Sequence, residues 1–291
     1  MKYTYYPGCS VLATAKHYQE SIDAVAGPLG LELEELDDWN CCGATAYMSV
    51  KELMSFAISA RNLALAEVHH RDLVTPCSAC YTVLNKTNQY FAEYPELRKK
   101  LGQTLEAAGL SYSGNVRVRH ILDVVVNDVG NEKLSSLVVR RLEGLKVAPY
   151  YGCQIVRPGT TFDDPDNPQC MDRMIEALGA TSIPYSMKAK CCGASLMGTQ
   201  EKLALRLCKN LLLEAEKNGA QCLVTVCPLC QMNLDVYQGK VNRAYGTSFN
   251  LPILYFTQLI GLALGIPGKR LGLNRLAVKA AKPLKAFGAG A

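Results

Sequence analysis

Cys41-Cys42-Gly43 and Cys77-Ser78-Ala79-Cys80 recur 150 residues later as Cys191-Cys192-Gly193 and Cys227-Pro228-Leu229-Cys230. In both copies 34 residues separate the Cys-Cys pair from the CxxC. One more cysteine precedes each pair: Cys9 by 31 residues and Cys153 by 37. The neighbours repeat as well. Leu73-Val74-Thr75 matches Leu223-Val224-Thr225, and Tyr5-Tyr6-Pro7-Gly8-Cys9 parallels Pro149-Tyr150-Tyr151-Gly152-Cys153 at an offset of 144. The chain therefore reads as two copies of one unit.

Short β-rich runs precede the cysteines at Tyr3–Tyr6, Leu73–Thr75, Val147–Tyr151 and Leu223–Val226. Helical spacing follows, as in 50–68, where Leu53, Ala57, Ala60, Ala64 and Val68 form a stripe. Asn167-Pro168 reads as the start of a helix that ends near Gly179. The fold class is α/β: two pseudo-symmetric repeats, each a small, mostly parallel sheet with covering helices. We expect a first cysteine-rich domain over 1–145, a second over 146–267 and a basic tail over 268–291, each domain burying its own core. The extra residues of the second copy fall in a Pro/Gly/Asp-rich loop, 157–168. Ligands are expected where strands end and helices begin.

The formal charge of +5 is local. Six of the 31 Lys+Arg (Lys269, Arg270, Arg275, Lys279, Lys282, Lys285) and none of the 26 Asp+Glu lie in the tail, so the rest is close to neutral. That argues against a nucleic-acid footprint. The run Leu251–Ile266 is shorter than the about 20 apolar residues of a membrane span and holds Pro252, Thr257 and Gln258. A buried strand running into a short helix fits it better. The N-terminus shows no export signal, so the expectation is a soluble, cytoplasmic protein with free thiols rather than a disulfide framework.

Thirteen cysteines in such a chain point to metal or redox chemistry. A CxxC places two thiolates on one turn, the spacing used by zinc and iron–sulfur sites. Adjacent cysteines suit a single ion poorly, because neighbouring side chains diverge. Each copy also supplies five thiols where zinc or a cubane cluster takes four. Gly43 and Gly193 lack a Cβ beside the pair and are expected to let the backbone pass close to a bulky group. Helix N-termini after Cys80 and Cys230 would add positive potential there.

This doubled pattern resembles the cysteine-rich CCG domain family, which includes the B subunit of heterodisulfide reductase; the resemblance covers about residues 1–265. It implies two non-cubane [4Fe-4S] clusters. One would be held by Cys9, Cys41, Cys42, Cys77 and Cys80, the other by Cys153, Cys191, Cys192, Cys227 and Cys230. It further implies that a small disulfide, typically the coenzyme M–coenzyme B heterodisulfide, is split between the clusters. Electrons would come from a separate iron–sulfur subunit of the same heterodisulfide reductase-type complex, with its flavin-containing subunit upstream. Two other readings stay open: an electron-transfer subunit of a related flavin dehydrogenase or sulfur-oxidation complex, and a zinc-held scaffold.

Of the remaining cysteines, Cys208 and Cys222 read as core thiols. Cys170 sits in a first helical turn, where the helix N-terminus would lower its pKa. His17, His69 and His70 read as surface residues on helices, and His120 as structural, with proton delivery as the alternative. In the tail, Arg275, Lys279 and Lys282 keep helical spacing, but Pro283 cuts the run short and the amphipathic signal is weak; docking on another subunit is preferred to a disordered end or an anionic membrane contact.

Overall fold

The apolar runs ahead of the cysteines become strands because they are buried on both faces, as central parallel strands are. The computed structural model describes residues 1–44, 46–156, 162–280 and 284–290. The first repeat holds β1 (Lys2–Tyr5), β2 (Glu32–Glu35), β3 (Leu73–Thr75) and β4 (Val118–His120). The second holds β5 (Lys146–Tyr150), β6 (Thr181–Ser182), β7 (Cys222–Thr225) and β8 (Ile253–Tyr255). The two sheets have orders β2-β1-β3-β4 and β6-β5-β7-β8, and every pairing is parallel. The duplicated α/β fold read from the sequence is thus the observed one.

β2, Glu-Leu-Glu-Glu, is a charged edge strand whose Glu32 and Glu34 both pair with Lys2 on β1. The helix in the 50–68 region runs Glu52–Glu67, but its buried face differs from the expected stripe. Phe56, Ala60, Leu63 and Ala64 are buried, whereas Leu53 and Val68 are exposed. His69 and His70 follow this helix rather than lie on it. His17 is no surface residue: it is buried near the start of the helix Lys16–Leu29.

Each repeat keeps apolar clusters of its own, around Leu63 and Phe56 in the first and Leu211 in the second, and the two also share one. The largest apolar cluster joins Tyr18, Ile22 and Val25 of the first to Phe256, Leu259 and Ile260 of the second. Reciprocally, Leu134 of the helix Asn131–Ser136 shares that core with Met171 and Met174 of the helix Cys170–Ala177. Ser21 and Thr257 add a buried hydroxyl pair at 2.6 Å across the same boundary. As expected, 251–266 is a strand running into a helix (Phe256–Ala263), buried throughout both elements.

The tail folds back on its own chain instead of projecting as an arm. Leu271, Leu273, Leu276, Ala280 and Leu284 enter the shared core. Asp235 accepts the backbone N–H groups of Ala277 and Val278 at 2.8 and 2.9 Å, and Arg275 pairs with Glu20. In keeping with that weak signal, the described tail residues form no α-helix, and their apolar side chains pack through turns and short 3₁₀ segments. Lys282 and Pro283 lie outside the described residues, as do 157–161 of the expected loop.

Candidate functional site

All ten motif cysteines follow the carboxyl ends of strands. Cys9 follows β1, Cys41 and Cys42 follow β2, and Cys77 and Cys80 follow β3; the second repeat does the same after β5, β6 and β7. Because β1 lies between β2 and β3, these three exits meet at the switch point of the sheet, where α/β folds place ligands. The helices Ser78–Glu93 and Pro228–Asp235 begin inside the CxxC motifs, with Cys77 and Cys227 as N-caps. Their N-termini therefore precede Cys80 and Cys230 rather than follow them, and Pro228 occupies a first-turn position that needs no N–H partner.

The thiols gather in two matching groups. Cys42 and Cys80 Sγ lie 3.3 Å apart, and Cys192 and Cys230 Sγ lie 3.4 Å apart. Cys41 adjoins Cys42, and Cys153 adjoins Cys191. The groups approach each other across the repeats at Cys77 and Cys227, each of which shifts the other's thiol. The neighbouring thiols Cys230 and Cys77 hold Cys227 well below the ordinary thiol range, and Cys41 and Cys80 do the same for Cys42. Cys191 is brought down to about 6, chiefly by Cys153. Their partners Cys77, Cys80 and Cys230 are pushed up. Cys9, Cys41 and Cys191 are exposed, so the groups open outward. Among the described residues no three His, Cys, Asp or Glu side chains are arranged around a single metal ion.

The expected glycines approach sulfur through their N–H groups, Gly43 to Cys41 Sγ at 3.5 Å and Gly193 to Cys191 Sγ at 3.3 Å, and a second pair leaves open the space where a Cβ would press on sulfur. Gly43 (φ +81°) and Gly193 (φ +86°) press on Ser55 and Ala204 of the covering helices. It is Gly8 (φ +75°) and Gly152 (φ +70°) that face sulfur: an added Cβ would stand 3.1 Å from Cys80 Sγ and 3.0 Å from Cys230 Sγ. Both lie in the repeated Gly-Cys pairs, so the signal was present in the sequence. Tyr6 and Tyr150 were also missed. Each is buried and donates its hydroxyl to the carbonyl just before a Cys-Cys pair, Asn40 O at 2.7 Å and Lys190 O at 2.8 Å.

His120 and Tyr255 occupy equivalent strand ends, paired with Thr75 and Thr225. His120 Nδ1 accepts the Leu122 N–H, so Nε2 carries the proton and donates to Pro76 O at 3.1 Å, one residue before Cys77. Burial lowers its pKa to about 4, which leaves the ring neutral at pH 7. Cys208 is a buried thiol that donates to Cys192 O at 3.3 Å, and Cys222 is buried at the start of β7. Cys170 does begin a helix, but burial and then Asp163 push its thiol up rather than down. Asp163, not Asn167, meets the free N–H groups at that helix start.

Residues 3–85 and 147–235 match the family described as the cysteine-rich domain, CCG. The chain belongs to this family. The CCG protein is 37% identical to the 8-methylmenaquinol:fumarate reductase membrane anchor subunit of Wolinella succinogenes, over 97% of this chain and 98% of that one. It is 30% identical to the B subunit of the ferredoxin/F420H2-dependent CoB–CoM heterodisulfide reductase of Methanosarcina acetivorans, over 96% and 94%. It is 31% identical to a protein of Archaeoglobus profundus described as like the B subunit of heterodisulfide reductase, over 94% of each. A solved structure of a hypothetical protein from Helicobacter pylori shares the fold, with a TM-score of 0.79 at 16% identity over 96% of this chain; the CCG protein spans 52% of that chain. Among the described residues no helix is long and apolar enough to cross a membrane.

Proposed function

We propose that this CCG protein is the catalytic iron–sulfur subunit of a heterodisulfide reductase-type complex. In this reading the two five-cysteine groups hold two non-cubane [4Fe-4S] clusters. A thiol disulfide, such as that of coenzyme M and coenzyme B, is reduced or formed between them. The observation that carries the reading is the pair of matching thiol groups, with Cys42 Sγ 3.3 Å from Cys80 Sγ and Cys192 Sγ 3.4 Å from Cys230 Sγ, near enough that Cys77 and Cys227 shift each other across the repeats.

The donor set fits such a group. Five thiols surround each strand-end switch point, and Gly8 and Gly152 leave free the space that a Cβ would take beside sulfur. When bound, two clusters supply the two electrons that disulfide reduction requires. The chain's own residues place the sulfurs: His120 fixes the turn into Cys77 through Pro76 O, and Tyr6 and Tyr150 fix the turns into the Cys-Cys pairs. Electrons would arrive from a separate iron–sulfur subunit, with a flavin-containing subunit upstream.

The test is to add a small disulfide to the oxidised or half-reduced protein and follow its paramagnetic signal. A shifted or new signal at stoichiometric disulfide is expected. No change would favour a second reading, electron transfer without disulfide chemistry. That reading draws its support from the 37% identity to one component of a fumarate reductase.

A further inference from the structure

Each repeat anchors its Cys-Cys turn with a fully buried asparagine, but the two asparagines stand at different positions. In the first repeat it is Asn62, whose Oδ1 accepts the Asn40 N–H at 2.9 Å and whose Nδ2 donates to Asn40 O at 3.0 Å. Its counterpart 150 residues later is Leu212. In the second repeat it is Asn233 of the helix Pro228–Asp235, and its counterpart is Val83. Asn233 Nδ2 donates to Cys192 O at 3.3 Å and to Ala194 O at 3.2 Å, and it meets Cys192 Sγ at 3.7 Å. Two carbonyl acceptors fix the amide with its nitrogen, not its oxygen, toward the turn.

Both bonds of Asn62 end on Asn40, whereas Asn233 reaches the sulfur itself. Val83 is buried and apolar, so this helix position needs no amide for packing. Asn233 also carries a cost, because its Oδ1 is buried without a hydrogen-bond partner. The backbone donors are common to both copies, since Gly43 N–H meets Cys41 Sγ as Gly193 N–H meets Cys191 Sγ. Among the described residues, a side-chain N–H at a Cys-Cys sulfur is found in the second repeat only.

We propose that Asn233 is a positioning residue that tunes the second repeat's cluster and not the first's, raising its reduction potential by donating to Cys192 Sγ. This rests on the cluster reading above. A hydrogen bond to a ligand sulfur stabilises the more negative, reduced form, and such bonds are among the levers that set iron–sulfur potentials. Duplication supplied two equal ligand sets, and this amide distinguishes them.

The test is an anaerobic redox titration of the full chain followed by paramagnetic resonance, with iron analysis of every sample. Each variant takes the residue that the other repeat carries. In Asn233→Val one midpoint should fall until reduction is at least threefold less favourable, or about 28 mV for a one-electron step, while the other midpoint stays. Asn62→Leu removes a backbone anchor of the same kind without touching sulfur, and should shift neither midpoint. Unchanged midpoints in Asn233→Val, a shift of both, or an equal shift in Asn62→Leu would each overturn the proposal. So would loss of iron in Asn233→Val, which would assign the residue a purely structural role. A parent chain with little iron would overturn the cluster reading, and the proposal with it.

Discussion

The rings of Tyr18 and Tyr255 stack across the two repeats, with centroids 3.8 Å apart and planes 2° from parallel. Both are fully buried, so the duplicated halves are joined by an aromatic contact as well as by sulfur. Only one hydroxyl is used: Tyr18 donates to Val226 O at 3.3 Å, whereas the Tyr255 hydroxyl has no partner. Tyr18→Ala should therefore cost on the order of 3–5 kcal/mol in urea unfolding. Tyr18→Phe should cost about 1 kcal/mol, and Tyr255→Phe should be neutral or stabilising. Equal losses in the two Phe variants would contradict this asymmetry.

Gly8→Ala and Gly152→Ala should each deplete iron while leaving the fold intact, since the new methyl would press on Cys80 Sγ or Cys230 Sγ. Gly109→Ala is the control. It shares the positive φ, at +70°, but has nothing within 4 Å of the added Cβ, so it should show only backbone strain of about 1–2 kcal/mol. Iron content and visible absorbance of the three variants check this. Equal iron in all of them would mean that the two glycines do not shape the sulfur site.

Arg119 is buried among carboxylates, bonding Asp123 at 2.6 Å, Asp128 and, more distantly, Asp72. Burial alone would lower its pKa, but the hydrogen bonds it donates to Asp123 and Asp128 prevail and raise it. Arg119→Met should cost about 3–5 kcal/mol, because it strands the buried Asp123. Lys240→Met, which breaks the exposed pair with Glu201, should cost no more than about 1 kcal/mol. Chemical denaturation of both variants provides the comparison.

His120 links stability to pH. The unfolded chain takes up its proton near 6.5, the folded chain only near 4. The contribution is therefore fully present above pH 6.5 and is lost as pH falls toward 4, a total on the order of 3 kcal/mol. Lowering the pH from 7.5 to 5.5 should remove about 1 kcal/mol of it. Buried His17, whose pKa burial also lowers, adds a slope of the same sign. Urea midpoints at the two pH values should converge in His120→Gln, leaving the smaller slope of His17. A parent protein with no slope would rule the linkage out.

The cysteine repeat and the apolar runs before it were enough to read the duplication, the parallel strands and the ends at which the thiols gather. Edge strand β2 was not legible, because Glu-Leu-Glu-Glu carries neither alternation nor apolar content; its strand character comes from pairing with Lys2 on β1. The helix Glu52–Glu67 showed the right period but the wrong face, since Phe56 and Leu63 are buried whereas Leu53 and Val68 are exposed. The burial of His17 and the docking of the tail depend on contacts with the other repeat and with Asp235, far away in sequence. Gly8 and Gly152 stood in the quoted repeat, yet only the sheet geometry shows which glycine faces sulfur.

The central claim is that each five-cysteine group holds an iron–sulfur cluster. Metal and acid-labile sulfide analysis of the anaerobically purified chain tests it most directly. About eight irons per chain are expected, falling by about half in Cys42→Ala and, separately, by about half in Cys192→Ala. Zinc with little iron, or full iron retention in either variant, would contradict it.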